Sequence, residues 1–265
     1  MTATVSNFNY GAVTPIAAYV LAALGAALGL RCTTRSLRRP HHRARWLALG
    51  AVSFGCGIWT MHFIAMIGFD IEGAAVNYDR NQTLLSLAVV IVCVAAGMFL
   101  VGYRGRSPFT LVAAGIITGN GVVTMHGLGM NAIKIDGSLH YDGRIVIFSF
   151  VFTIVIATAA LWAAVSIHAL WSSMGASLIM GVAVTGMHYI GMTALSVHLG
   201  DQAVLQESTS NLRFLMVMLV GPLAVLLLAS TIVMFDPDMM IADDDQDTYR
   251  AAPASRATGS SSPAR

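Results

Sequence analysis

Seven apolar runs of about 20 residues, the length of a helix that spans a bilayer, constrain this chain more than any other feature. Of its 265 residues, 56% are hydrophobic and 11% are charged, and the mean hydropathy is +0.72. Soluble domains carry roughly 25% charged residues. We therefore predict an all-α integral membrane protein made of three helix-pair repeats and a further helix, with helices near residues 12–30, 46–68, 84–103, 109–133, 145–167, 174–197 and 212–235.

Three segments of different composition divide the chain. Residues 1–11 are predicted to be a short extracellular segment, and residues 12–235 the membrane domain. Residues 236–265 are rich in Asp, Ala, Ser, Pro and Arg, so we predict a disordered cytoplasmic tail. We expect no soluble output domain after the membrane region. We also expect no cleaved signal peptide, because the basic residues follow the first apolar run instead of preceding it.

The charges of the connecting segments predict the orientation. Arginines concentrate after the first and third apolar runs, whereas the other connecting segments are mixed or acidic. Arginine-rich segments next to membrane helices stay in the cytoplasm. The prediction is a multi-pass protein of the bacterial plasma membrane, with the N-terminus outside and the C-terminus inside. We expect no nucleic-acid binding, because no soluble module surrounds the arginines.

Three windows align without gaps and mark an internal repeat: residues 55–66, 119–130 and 181–192. The leading Gly, a Met, a His and the final Met are identical in all three, and the histidines are 64 and 62 residues apart. Each repeat therefore spans two helices. A Tyr-Asp pair follows the first two windows, and its aspartate, Asp79 or Asp142, is predicted to cap the next helix.

The Met-His-x-x-x-Met spacing concentrates chemistry on one helix face. At about 100° per residue, the His and the Met four positions later lie within about 40° of each other. The residue three positions after the His is small, Ala65, Gly129 or Gly191, and small residues let membrane helices approach closely. We expect the second, fourth and sixth helices to face each other. Three imidazoles and three thioethers would then meet near the outer membrane face.

Imidazole and thioether together favour copper. Imidazole suits several transition metals, thioether is a soft ligand that prefers Cu(I), and zinc sites are built from Cys, His and carboxylate. The candidate ligands are His62, His126, His188, Met66, Met130 and Met192. The methionines directly before the histidines are turned about 100° away and are weaker candidates: Met61, Met125 and Met187.

Two alternatives to a copper site stay open. Each histidine could simply be hydrogen-bonded to a neighbouring helix. Haem held by two of the histidines is less favoured, because Gly-rich packing indicates close helices and not room for a macrocycle. The other histidines are predicted to be solvated: His41, His42, His140, His168 and His198. The cysteines indicate no disulfide framework, and Cys56 is predicted to pack as a small apolar residue.

The three motifs resemble the MHYT domain, a bacterial integral membrane sensor module named for that tetrapeptide. They are Met61-His-Phe-Ile-Ala-Met66, Met125-His-Gly-Leu-Gly-Met130 and Met187-His-Tyr-Ile-Gly-Met192. The resemblance covers roughly residues 12–235. It implies copper bound by His and Met near the outer face, sensing of oxygen, carbon monoxide or nitric oxide, and relatives fused to GGDEF, EAL or kinase output domains.

This chain departs from the tetrapeptide in two ways. Ile64, Leu128 and Ile190 stand where the name has Thr. The aromatic residue after the His is present as Phe63 and Tyr189, but the middle copy has Gly127. An aromatic residue is therefore not required in all three copies.

Three functions are compatible with the sequence. The leading hypothesis is a copper-dependent sensor that signals through a separate cytoplasmic partner. The second is a copper-handling transporter, although the inner halves of the motif helices carry few polar residues apart from Asn120. The third is a structural membrane protein. We do not expect an enzyme, because the spans carry no nucleophile–base pair and no pair of carboxylates.

Overall fold

The computed structural model describes residues 2–3, 5–6, 9–71, 77–135, 137–167, 169–199 and 209–235. In this part of the chain, seven helices are long and apolar enough to cross a membrane, which confirms the predicted fold class. His168 and the predicted tail at 236–265 lie outside the described residues. The helices are α1 Val13–Arg38, α2 Arg43–Ile67, α3 Arg80–Arg104, α4 Pro108–Asn131, α5 Gly143–Ser166, α6 Leu170–Thr193 and α7 Thr209–Met234.

Short strands cap the end of the bundle at which α2, α4 and α6 finish. We call this the strand end, and the opposite end, where α1 and α3 finish in arginines, the arginine end. Three antiparallel sheets form there, with strand orders β1-β7-β6, β2-β3 and β4-β5. The strands are β1 Thr2–Ala3, β2 Val5–Ser6, β3 Asp70–Ile71, β4 Asn77–Tyr78, β5 Ile133–Lys134, β6 Gly137–Tyr141 and β7 Leu195–Leu199.

These strands correct two predicted helix ends. The fourth helix, predicted to reach residue 133, ends at Asn131, and the sixth, predicted to reach residue 197, ends at Thr193. The sixth apolar run includes the first residues of β7, which alternates apolar and polar residues. Such alternation suits a strand with one buried face. Because the hydropathy stays high from the helix into the strand, the sequence did not show the change from helical periodicity to the alternation of a strand.

The other helix ends follow from capping and from charge. The Asp79 carboxylate accepts hydrogen bonds from the backbone N–H groups of Asn81 (2.9 Å) and Gln82 (3.0 Å), as predicted. The Asp142 carboxylate accepts one from the N–H of Arg144 at 2.8 Å. At the arginine end, α1 runs eight residues past its predicted end at residue 30. This added stretch contains Arg35 and Arg38, of which Arg35 is partly buried and Arg38 is exposed.

Helices α1 to α6 form a closed ring in which each packs on the next and α6 packs on α1. The leading Gly of each motif sits where α2 meets α3, where α4 meets α5 and where α6 meets α1. A Cβ at Gly55, Gly119 or Gly181 would lie 3.0–3.1 Å from the Cα of Ile91, Ile154 or Ala23 on that neighbour. These glycines therefore hold α3, α5 and α1 against the motif helices. The approach of α2, α4 and α6 to each other, which we expected from the small residues after the histidines, does not depend on these leading glycines.

Helix α7 lies outside the ring, against α1 and α2. The Arg35 guanidinium donates a hydrogen bond to the carbonyl of Val233 at 2.7 Å, near the end of α7. The last carbonyls of a helix have no partner within the helix, so a cation from α1 stabilises this end. Cys32 and Cys56 are buried free thiols in the cluster between α1, α2 and α7, which fits the packing role predicted for Cys56.

Candidate metal centre

His62 on α2, His126 on α4 and His188 on α6 meet inside the ring. Their ring centroids are 5.0 Å, 5.0 Å and 5.3 Å apart. One nitrogen from each ring lies within 4.8 Å of the others. His62 and His188 are fully buried, whereas His126 is partly exposed. The structure therefore brings together all three histidines of the repeat, within reach of one ion.

Two observations on the nitrogens bear on whether a metal fits. Nδ1 of His62 and Nδ1 of His188 are 3.1 Å apart. Two ligands at ~2.05 Å from a tetrahedral ion lie about 3.3 Å apart, so this spacing suits a shared ion as well as a hydrogen bond. Nε2 of His62 is buried without a hydrogen-bond partner among the described residues. Such an orphaned group costs about 1–3 kcal/mol. Because one imidazole gives one nitrogen to one ion, coordination through Nε2 of His62 would be an alternative to coordination through its Nδ1.

The small residue three positions after the His makes room for an imidazole of the preceding repeat. A Cβ at Gly129 would collide with Nε2 of His62, and a Cβ at Gly191 would lie 3.3 Å from Nε2 of His126. Each of these rings thus rests against the backbone of the next motif helix. The spacing predicted close packing on this face, but not that the partner would be a histidine ring.

The six candidate methionines divide into two sets, as their rotation around the helix predicts. Met61, Met125 and Met187 belong to the large core of the ring. The other set forms a smaller cluster with residues of the strand end, and we call it the methionine cluster: Met66, Met130, Met192, Phe69, Ile71, Ile133 and Val197. Coordination by any of the six sulfurs stays a prediction.

The ligands available to the centre are neutral. Among the described residues no carboxylate joins the three histidines in a metal-sized cluster. Tyr78, at the strand end, lies with its ring centroid 6.2 Å from that of Phe63, and burial raises its pKa, so its hydroxyl stays protonated. Burying charge costs free energy unless it is compensated. A neutral site would therefore hold a monovalent ion such as Cu(I) at lower cost than a divalent one.

A pocket of about 310 Å³ opens beside His126, among α4, α5 and α6. Met130, Met187 and Ser149 also line it. Gly127 borders this opening, and a Cβ there would meet nothing within 4 Å. The two other copies carry an aromatic side chain at this position. The missing aromatic side chain at Gly127 explains why His126 is the accessible member of the triad. This accessibility was not predicted from the sequence.

Toward the arginine end, apolar side chains such as Ile58, Val122 and Val184 fill the ring. Asn120, the polar residue singled out as a potential lining of a transport path, is exposed on the outer surface of α4. Its side-chain amide donates to the carbonyl of Ile116 at 2.9 Å. It therefore lines no path through the ring.

Comparison with known proteins agrees with the internal repeat. Residues 55–114 and 119–177 match the family MHYT, described as a bacterial signalling protein N-terminal repeat. The bifunctional diguanylate cyclase/cyclic di-GMP phosphodiesterase MucR of Pseudomonas aeruginosa is 32% identical over 200 residues, which are 73% of this chain and 29% of that protein. The cyclic di-GMP phosphodiesterase NbdA of the same organism is 29% identical over 215 residues, 78% of this chain and 27% of that protein.

An uncharacterized signaling protein of Caulobacter vibrioides is 34% identical over 157 residues, 58% of this chain and 19% of that protein. The chain thus spans less than a third of the length of these relatives, and the activities in their names belong to those proteins. No solved structure matches the chain. The third window, residues 181–192, lies outside the matched repeats, yet the structure places its histidine in the triad.

Proposed function

This chain belongs to the MHYT family of bacterial signalling-protein repeats and is a membrane module of that kind; we propose that it senses through copper held by His62, His126 and His188. The observation that carries the proposal is the meeting of three imidazoles from three separate helices, with one buried nitrogen left without a partner. Ionisable side chains inside a membrane protein are costly, and they mark functional sites when they gather in its interior.

The donor set supports copper over zinc. The three imidazoles are neutral ligands, no carboxylate or thiolate completes the cluster within the described residues, and thioethers occupy the next layer of the core. Three imidazoles with water in a fourth position would also suit zinc, so the preference for copper comes from the thioethers, which are soft ligands for Cu(I) and are not among the usual zinc donors. Haem is disfavoured further, because ring centroids 5.0–5.3 Å apart leave no room for a macrocycle between the histidines.

The pocket beside His126 suggests how a signal molecule would arrive. Bound copper would offer a coordination position to oxygen, carbon monoxide or nitric oxide. The chain contributes the route: the Gly127 opening leads to His126, while His62 and His188 stay buried on the far side. Its walls are mostly apolar, which suits a small neutral molecule that partitions into lipid.

We further propose that the module is not itself catalytic and that it acts on a cytoplasmic output protein, on a separate or attached polypeptide. Two relatives carry names of cyclic di-GMP enzymes, which supports an output of that class. The strand end would face the outside and the arginine end the cytoplasm. A copper transporter finds less support, because Asn120 faces outward and apolar side chains fill the ring beyond the triad.

Metal analysis of the full chain purified in detergent tests the copper proposal. With copper supplied as Cu(I), we expect one ion per chain, lost in the His62→Ala, His126→Ala and His188→Ala variants. The matched control is His41→Asn with His42→Asn at the arginine end, which should keep its copper. A wild-type copper content no higher than that of the triple alanine variant would overturn the proposal.

A further inference from the structure

The two longest strands of the cap carry the same Ser-apolar-His triplet, Ser138-Leu-His140 on β6 and Ser196-Val-His198 on β7. Their antiparallel register pairs His140 with Ser196 and Ser138 with His198. Side chains alternate between the two faces of a strand. The register therefore places both histidines and both serines on one face, and all four are exposed.

The opposite face of these strands is covered at its centre. There Val197, the middle residue of one triplet, belongs to the methionine cluster, and Leu139, the middle residue of the other, packs against it. This packing fixes which face each strand turns outward, because a slip of one residue would bury the histidines and expose the apolar residues. The histidine pair is thus held in place by both the backbone ladder and the core beneath it.

The ring centroids of His140 and His198 are 4.9 Å apart, with an interplanar angle of 65°. The three pairs of the buried triad have centroid distances of 5.0–5.3 Å and angles of 74–79°. The exposed pair therefore has nearly the same spacing as the candidate metal centre. Sequence analysis placed these two residues in separate solvated loops, because nothing short-range shows that β6 and β7 are neighbours.

We propose that His140 and His198 form a second metal site, which takes Cu(II) or Zn(II) from water at the strand end. Imidazole suits both ions, and water can fill their other positions because both rings are exposed. Exposure also spares a divalent ion the desolvation that the neutral buried centre would impose. The second site thus favours divalent ions, whereas the triad favours the monovalent, softer Cu(I).

An ion bound there would link β6 to β7. Leu139 and Leu195 of these strands pack against the methionine cluster and Val197 is part of it, so the ion would hold the two strands together over that cluster. A ligand that binds only the folded state stabilises it by an amount that rises with the logarithm of its concentration over its Kd. Zn(II) should therefore raise the melting temperature of the full chain, and the rise should depend on both histidines.

The test uses the full chain in detergent with the triad removed by His62→Ala, His126→Ala and His188→Ala, so that it is independent of the copper proposal. We expect one Cu(II) per chain, with two nitrogen ligands by electron paramagnetic resonance. His140→Gln or His198→Gln should each weaken Cu(II) binding by at least about tenfold, because even replacing a residue that only contacts a metal ligand costs at least about tenfold in affinity. Ser138→Ala and Ser196→Ala, on the same face, should change it less than about twofold.

Cu(II) affinity unchanged by both His→Gln variants would overturn the second site, and so would loss with only one of them. Binding lost instead with His41→Asn and His42→Asn would place the ion at the arginine end. If the triad-free chain does not fold, the same titration is made on the wild-type chain. The proposal then requires that each His→Gln variant binds one divalent ion fewer than the wild type.

Discussion

Replacing Gly129 by alanine should displace His62 and weaken the metal centre while the helices stay folded. The added methyl would collide with Nε2 of His62 and would lie 3.1 Å from its Cδ2 and 3.4 Å from its Cε1. Contacts between carbon atoms are optimal at ~3.5–4.0 Å, and the contact with Nε2 is closer than either carbon contact, so the ring has to retreat by about 1 Å. Metal–ligand distances in real sites vary by only about 0.2 Å. A displacement several times larger should lower copper affinity at least about tenfold.

Gly127→Ala is the matched control, because it makes the same change two residues earlier on the same helix. Its Cβ meets nothing within 4 Å. Alanine in place of glycine inside a helix stabilises it by about 0.8–1.0 kcal/mol, and both variants gain this. Gly129→Ala should also lose about 1–3 kcal/mol to overpacking. Its net stability should therefore range from near zero to a loss of about 2 kcal/mol, against a gain for Gly127→Ala.

Two measurements on protein in detergent micelles separate these effects: thermal unfolding without metal, and Cu(I) titration against a competing chelator. Gly127→Ala should melt at or above the wild-type temperature with wild-type affinity. Gly129→Ala should melt at or below it with weakened affinity. Equal copper affinity in the two variants would refute the argument that Gly129 seats the ring of His62.

Three shorter predictions test the N-terminal cap of α3, the thioethers and the orientation in the membrane. Asp79→Ala should destabilise the chain by about 1 kcal/mol in thermal unfolding, and Asp79→Asn by much less, because asparagine also caps; equal losses would count against the cap. Met→Leu nearly conserves volume, so the change should leave the fold intact when made at Met66, Met130 and Met192. It should weaken Cu(I) binding more than the same change at the methionines preceding the histidines. Unaltered Cu(I) affinity would remove the thioethers from the site. Cysteines introduced at Asp70 and Arg104 should react with impermeant reagents from outside and from inside respectively, and outside labelling at Arg104 would invert the orientation.

The meeting of the three histidines was predictable because the repeat determines where each histidine lies along its helix. Three copies of one motif, each in a helix of similar length and direction, must place their histidines at similar depth in the membrane. The helix caps were predictable for a similar reason, since Asp79 and Asp142 act on N–H groups two or three residues away. Both inferences need only local spacing and the rule that polar groups turn to the interior of a bundle.

What the sequence did not reveal depends on distant pairings. The ring closes where Gly181 on α6 meets Ala23 on α1, and no short-range pattern shows that these helices are neighbours. Likewise, β6 and β7 are separated by α5 and α6, so the His140–His198 pair appears only once the ring is formed. Strands β5 and β7 were missed because their apolar residues extend the hydropathy of the preceding helices. A change of period over five residues carries little signal beside a run of about 20.

The triad departs from threefold symmetry, because its three histidines differ in their contacts and in their accessibility. His62 rests against Gly129 of the next motif helix, and His126 rests against Gly191 of the one after. The third link, from α6 back to α2, has Ala65 in place of glycine, and on this side His188 contacts His62 directly, Nδ1 to Nδ1, at 3.1 Å. These two rings are therefore fixed to each other and fully buried. His126 lies on the open side, so a molecule that enters the pocket meets His126 before it reaches the buried pair.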